Sequence, residues 1–107
     1  MHEFGSVQEA IRRLRQINPT PGSVRIRLGK MRGSARAFEE MFREHTRDTE
    51  LEGIGLEIES IPVEISCSCG LSGMVRIMEH AHYVRCPKCG HVTDAVKGNE
   101  LEIEVLG

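Results

Sequence analysis

Aromatic residues are scarce: the chain has no Trp, one Tyr and three Phe among 107 residues. A chain of this length makes one small domain or two very small ones, and its core is thin unless something staples it. Long apolar runs are missing as well, so no stretch approaches membrane-spanning length. The opening Met1-His2-Glu3 carries no apolar leader, which places the chain in a reducing cytosol. No charge sign dominates, the net charge being −2, but the charges are unevenly shared. Residues 1–50 carry ten Lys/Arg against seven Asp/Glu, and the remainder carries four against nine. The acidic part holds every cysteine, which argues against a module that grips nucleic acid phosphates. A Ser-His-Asp arrangement, a phosphate-cradling glycine loop and a convergent carboxylate pair are all lacking, so the chain reads as a carrier rather than a catalyst. Internal repeats and low-complexity segments are absent too.

What is present is concentrated between Cys67 and Gly90. Cys67-Ser68-Cys69-Gly70 and Cys86-Pro87-Lys88-Cys89-Gly90 give the spacing C-x-C-x16-C-x2-C. Two short loops, each offering two sulfurs, supply the four soft ligands that tetrahedral zinc wants. Glycine after each pair lets the backbone turn and aim N–H groups at the sulfurs. The first pair is one residue short, with Ser66 where a C-x2-C reading would put cysteine. Either Cys67 reaches the metal from a tighter loop, or a histidine among His80, His82 and His91 takes its place. In a reducing compartment metal is favoured over a disulfide. Met74 and Met78 read as core of this module.

In chain order, Phe4, Val7, Ile11 and Leu14, with Ala10 and Ile17 beside them, form the apolar stripe of an amphipathic helix. Asn18-Pro19 ends it. Val24, Ile26 and Leu28 alternate with Arg25 and Arg27, the pattern of a half-buried strand. Gly29–Gly33 reads as a solvated basic loop, and Ser34 as the N-cap of a second helix carrying Ala35, Phe38, Met41, Phe42 and His45. Residues 53–65 read as a long strand whose phase slips at Ser60-Ile61, so that near Pro62 the chain leaves the first sheet for the cysteine module. Leu101, Ile103 and Val105 alternate with Glu100, Glu102 and Glu104 as a last strand. Opposite charges across strands favour the basic strand lying between the two acidic ones. The expected fold class is α+β: a small three-stranded sheet with two helices on one face, plus an inserted zinc-binding module of ribbon or knuckle type. The boundaries are 1–65 plus 95–107 for the α/β part and 66–94 for the insert.

The N-terminus carries a second possibility. A metal held by the Met1 amine and the His2 backbone nitrogen closes a five-membered ring, and His2 Nδ1 closes a six-membered one. The Glu3 backbone nitrogen, or a donor from elsewhere, completes a nitrogen-rich plane suited to Ni(II) or Cu(II). A solvated terminal histidine is the plainer alternative.

Taken together, Met1-His2-Glu3-Phe4 opening a helix, Leu51-Glu52-Gly53 and Leu56-Glu57-Ile58-Glu59, Cys69-Gly70, Cys86-Pro87-x-Cys89-Gly90 and Gly98-Asn99-Glu100-Leu101 carry a likeness over the whole chain. The sequence resembles the hydrogenase nickel-incorporation proteins of the HypA/HybF type. The resemblance implies a nickel metallochaperone with Ni2+ at His2 and Glu3 and structural Zn2+ at Cys69, Cys86 and Cys89. Cys67 departs from the family's C-x2-C spacing. The resemblance also implies as partners a nickel-handling GTPase and the hydrogenase large subunit, with [NiFe] hydrogenase as receiver, and leaves a homodimer open. Two rival readings are a rubredoxin-like iron electron carrier, which the Cys86–Gly90 loop also resembles, and a zinc-ribbon interaction module. His80 and His82 read as solvated loop residues, and His45 as packing at a helix edge.

Overall fold

The computed structural model describes residues 2–75, 84–93 and 95–107, with side chains from residue 4 onward. Helix α1, His2–Arg15, is followed by β1, Ser23–Gly29, and by a short 3-10 helix, Lys30–Arg32. Helix α2, Ala35–His45, leads to β2, Gly55–Ile61, and β3, Val63–Ser66. Then come β4 (Ser72–Val75), β5 (Val84–Arg85), β6 (Val92–Thr93), β7 (Ala95–Lys97) and β8 (Leu101–Val105). No helix among the described residues is long and apolar enough to cross a membrane.

The first sheet has the order β2-β1-β8. The strand β1 runs parallel to β2 and antiparallel to β8. Parallel pairing follows from α2 lying between β1 and β2, since a helix crossover returns the chain to the same end. The basic strand is central, as its charges require. Arg25 donates to Glu104 at 2.8 Å and to Glu57 at 3.3 Å. Arg27 donates to Glu102 at 2.8 Å and pairs with Glu59 at 3.6 Å. These pairs are exposed, so each adds at most ~1 kcal/mol. They select strand order and register rather than stability.

Both helices bury their apolar stripes on the other face of this sheet. The centre of the α1 stripe is Val7, Ala10 and Leu14, fully buried with Phe38, Phe42, Val24, Ile26 and Leu28. Phe4 lies at the edge, where its ring contacts His45 at 5.1 Å. Ser34 caps α2 as expected, its hydroxyl accepting from the Ala37 N–H at 3.0 Å. Leu51, in the turn segment after α2, plugs the same core.

At Pro62 the chain changes sheet. A second sheet, β4-β3-β7, and the hairpin β5-β6 surround a separate small core of Val63, Ile65, Cys67, Val84 and Cys86. The molecule is correspondingly long, 49 × 23 × 18 Å. Two sequence expectations are corrected here. Met74 is not core: Val63 pairs with Val75 and Glu64 with Met74, so the strand's alternation turns Val75 inward and leaves Met74 70% exposed. Met78 lies outside the described residues. Nor is the Gly29–Gly33 segment merely a solvated loop. Met31 packs against the second core, and Arg32 donates to Asn99 O at 2.8 Å and to Ser6 Oγ at 3.2 Å.

Main chains nearly touch where the two sheets meet. A Cβ on Gly29 would lie 2.2 Å from the Gly98 carbonyl, and one on Gly98 would lie 2.6 Å from Val63 Cγ2. Gly98 also has φ 116°, a conformation other residues rarely adopt. Gly98→Ala therefore adds overpacking to backbone strain. We expect a loss of about 3 kcal/mol in urea unfolding. A loss below ~1 kcal/mol would mean that the junction yields rather than locks.

Candidate metal centre

The ligand loops are variations on one hairpin. In the second, the Cys86 N–H donates to His91 O and the Gly90 N–H to Cys86 O, both at 2.8 Å. In the first, the Cys67 N–H donates to Leu71 O at 2.8 Å and the Gly70 N–H to Cys67 O at 2.9 Å. Each bond spans one residue fewer in the first loop, which is how C-x-C turns as tightly as C-x2-C. Gly70 and Gly90, at φ 101° and 78°, permit both reversals.

These turns bring the four sulfurs within 4.8 Å of one another. Cys67 and Cys89 are 3.6 Å apart, as are Cys69 and Cys86. A tetrahedron of ~2.3 Å zinc–sulfur bonds has edges of ~3.8 Å, so the cluster fits structural zinc, closed by protein ligands on every side. Cys67 and Cys86 are buried, whereas Cys69 and Cys89 are half-buried. One sulfur from each loop thus belongs to the second core.

Electrostatics point the same way. The Cys69 N–H, then contacts with the other sulfurs, hold the Cys67 thiol down to about 6. The N–H groups of Cys89 and Lys88 lower Cys86 too. Cys89 accepts from the His91 N–H, which lowers it, yet burial and the three neighbouring sulfurs outweigh this and push it up to about 11. Such thiols titrate as a set, the first proton leaving readily and the last held by the charge already present. A dication among them removes that conflict.

The structure thus brings Cys67, Cys69, Cys86 and Cys89 together, the tighter first loop included. The imidazole of His91 is outside the cluster; that residue serves through its main chain. His80 and His82 lie outside the described residues, as do the side chains of His2 and Glu3. His2 is placed only as the first residue of α1. What reading residue by residue missed is the second core, whose short strands carry too few residues to show a period.

Comparison with known proteins agrees with this arrangement. The family described as "Hydrogenase/urease nickel incorporation, metallochaperone, hypA" matches residues 1–107. A hydrogenase maturation factor HypA from Nitrosospira multiformis is 33% identical over 111 aligned residues, covering 96% of this chain and 93% of that protein. One from Roseiflexus sp. is 35% identical over 85 residues, covering 78% and 68%. The solution structure of the Ni metallochaperone HypA from Helicobacter pylori superposes with a TM-score of 0.56, at 20% identity, over 100% of this chain and 95% of that one, which is a likeness of fold. With full-length family agreement, the same fold and a cysteine cluster that fits zinc, the chain belongs to the HypA family of hydrogenase/urease nickel-incorporation metallochaperones.

Proposed function

We propose that this chain binds one Ni(II) through the Met1 amine, the backbone nitrogen and imidazole of His2, and the Glu3 backbone nitrogen. It surrenders that ion during maturation of a nickel enzyme, [NiFe] hydrogenase. In this reading the α/β part built on the first core carries the nickel, and the zinc module held by Cys67, Cys69, Cys86 and Cys89 reaches past 66–94 to take in β3 and β7. The partners are a nickel-handling GTPase and the hydrogenase large subunit, and the setting is cytoplasmic. A homodimer is compatible with all of this.

The observation that carries the reading is that α1 begins at His2. The first four N–H groups of a helix have no intrahelical acceptor. An amide there gives up its proton to nickel without breaking the helix. The helix's positive N-terminal end opposes a bound cation. That opposition limits affinity, which is what a carrier needs in order to let go. Selectivity over copper then comes from metal availability and partner contacts, since copper binds nitrogen donors more tightly.

Protonation tests this. The free amine titrates at about 7.7–8.0 and the imidazole at about 6.5. Both must be unprotonated to bind nickel, so affinity falls as pH drops. Calorimetric nickel titrations should weaken at least ~tenfold from pH 7.5 to 6.5, while zinc stays bound. In His2→Ala, tight nickel binding should be absent at either pH. A flat profile, or full affinity in His2→Ala, would move the site elsewhere.

A further inference from the structure

Strand β8 forms one edge of the first sheet, with β1 on one side of it and, among the described residues, no strand on the other. The Gly29 N–H donates to Glu100 O, and the Leu106 N–H to Ser23 O, both at 2.9 Å. In this antiparallel register the even-numbered residues of β8 bond to β1. The N–H and C=O groups of Leu101, Ile103 and Val105 therefore point to the open edge. Arg13 occupies one of them, donating to the Leu101 carbonyl at 2.6 Å. Those of Ile103 and Val105 face outward as a template for a further strand. Side chains on the helix face lose their cover along the same stretch, from 6% exposure at Leu101 to 49% at Val105.

The other face decides what can pair there. Glu102 and Glu104 lie between the arginines of β1 and the open edge, accepting from Arg27 and Arg25 at 2.8 Å. Each arginine is shared with a second carboxylate on β2, Glu59 or Glu57. Four carboxylates, all more than half exposed, thus meet two guanidiniums, and the face stays acidic. A second copy of this chain would bring its own β8 or β2 and set glutamate against glutamate, which is unfavourable. A strand that alternates basic with apolar residues instead continues the order acid, base, acid with another base. Its apolar side chains then cover Val105.

We infer that β8 is a docking edge for an extended segment of another protein, one that alternates Lys or Arg with apolar residues and joins the sheet as a fourth strand. Main-chain bonds at Ile103 and Val105 supply the attachment, and Glu102 and Glu104 select the charge. Neither nickel nor zinc takes part in this pairing.

The test titrates the zinc-loaded full chain with a short, end-blocked peptide of alternating lysine and valine. Two control peptides carry glutamate for every lysine, or proline for the central valines with the charge unchanged. The lysine–valine peptide should bind and should slow exchange of the Ile103 and Val105 amide protons about tenfold, read by NMR. Its affinity should fall about tenfold between low salt and ~0.5 M salt. Neither control should bind. Val105→Pro removes an edge N–H and leaves the bonds to β1 in place, so it should weaken binding about tenfold. A chain carrying both Glu102→Gln and Glu104→Gln should bind about fivefold more weakly, with circular dichroism and zinc content unchanged. The proposal is overturned if the peptide does not bind, or if the proline peptide binds equally well, which would mean charge attraction without strand pairing. It is likewise overturned if protection appears at Leu56 and Ile58 of β2 instead. Protection of Ile103 and Val105 without peptide, rising with protein concentration, would make a second copy the occupant and overturn it too. The double glutamine chain, which alters no backbone group, decides the matter should Val105→Pro fail to fold.

Discussion

Replacing Cys86 by alanine should release the zinc and unfold residues 63–97 while the helices and the β2-β1-β8 sheet persist. Cys86 belongs both to the four-sulfur cluster and, among the described residues, to the five buried in the second core. Without it and without metal, the fully buried apolar residues left among those described are Val63, Ile65 and Val84, with Met31, Leu71, Val75 and Ala95 only partly buried around them. Structural zinc supplies about 10–16 kcal/mol in comparable small sites, so metal binding is most of this module's folding energy. The first core has its own buried cluster and contains no cysteine. Hydrogen exchange is expected to lose protection in β3, β4 and β7 and to keep it in β1, β2 and β8, with no zinc found by metal analysis. Protected amides throughout a zinc-free module would refute this account. Cys67→Ala should release zinc as completely as Cys89→Ala, because among the described residues no imidazole joins the cluster. Retention in Cys67→Ala alone would implicate His80 or His82.

Adding a single residue before Met1 should abolish tight nickel binding and leave zinc, fold and solubility unchanged. The extension converts the terminal amine into an amide, far less basic and confined to a planar bond. It also moves the chelate away from the start of α1, where amide protons are free of helical bonds. The chelate rings that include the amine are lost, so affinity should fall by ~100-fold or more, or about 3 kcal/mol. A histidine-free C-terminal extension should change nothing. Parallel calorimetry on the native-start, extended and C-terminally extended chains measures the effect. Equal nickel affinity in the first two would exclude the amine as a ligand.

How much of this was legible in the chain varies with distance along it. The Ser34 cap, the alternation in β1 and in β8 as far as Ile103, and the break at Pro62 are local patterns that appear where expected, whereas Val105 at the end of β8 is exposed. Strand order was legible as well, because Arg25 and Arg27 needed acidic neighbours on both sides. The metal centre was visible as cysteine spacing, including its irregular first pair.

Met74 and Arg32 show where such reading stops. Met74 is apolar, and only its pairing with Glu64 decides that it faces outward. Ser72-Gly73-Met74-Val75 is too short and too mixed to reveal a face. Arg32 looked solvated because nothing near it in sequence accepts its hydrogen bonds; Ser6 and Asn99 come from elsewhere in the chain. The sequence by itself determined the two helices, the three strands of the first sheet with their charge-matched order, and the four-thiolate inventory, since these depend on side-chain type at short spacing. Tertiary structure alone decided the parallel pairing of β1 and β2, the second core, the convergence of Cys67 with the other sulfurs, and the Arg32 bridge. Each of those depends on where distant segments return to meet, and an energy shared between them leaves no mark in either segment read separately.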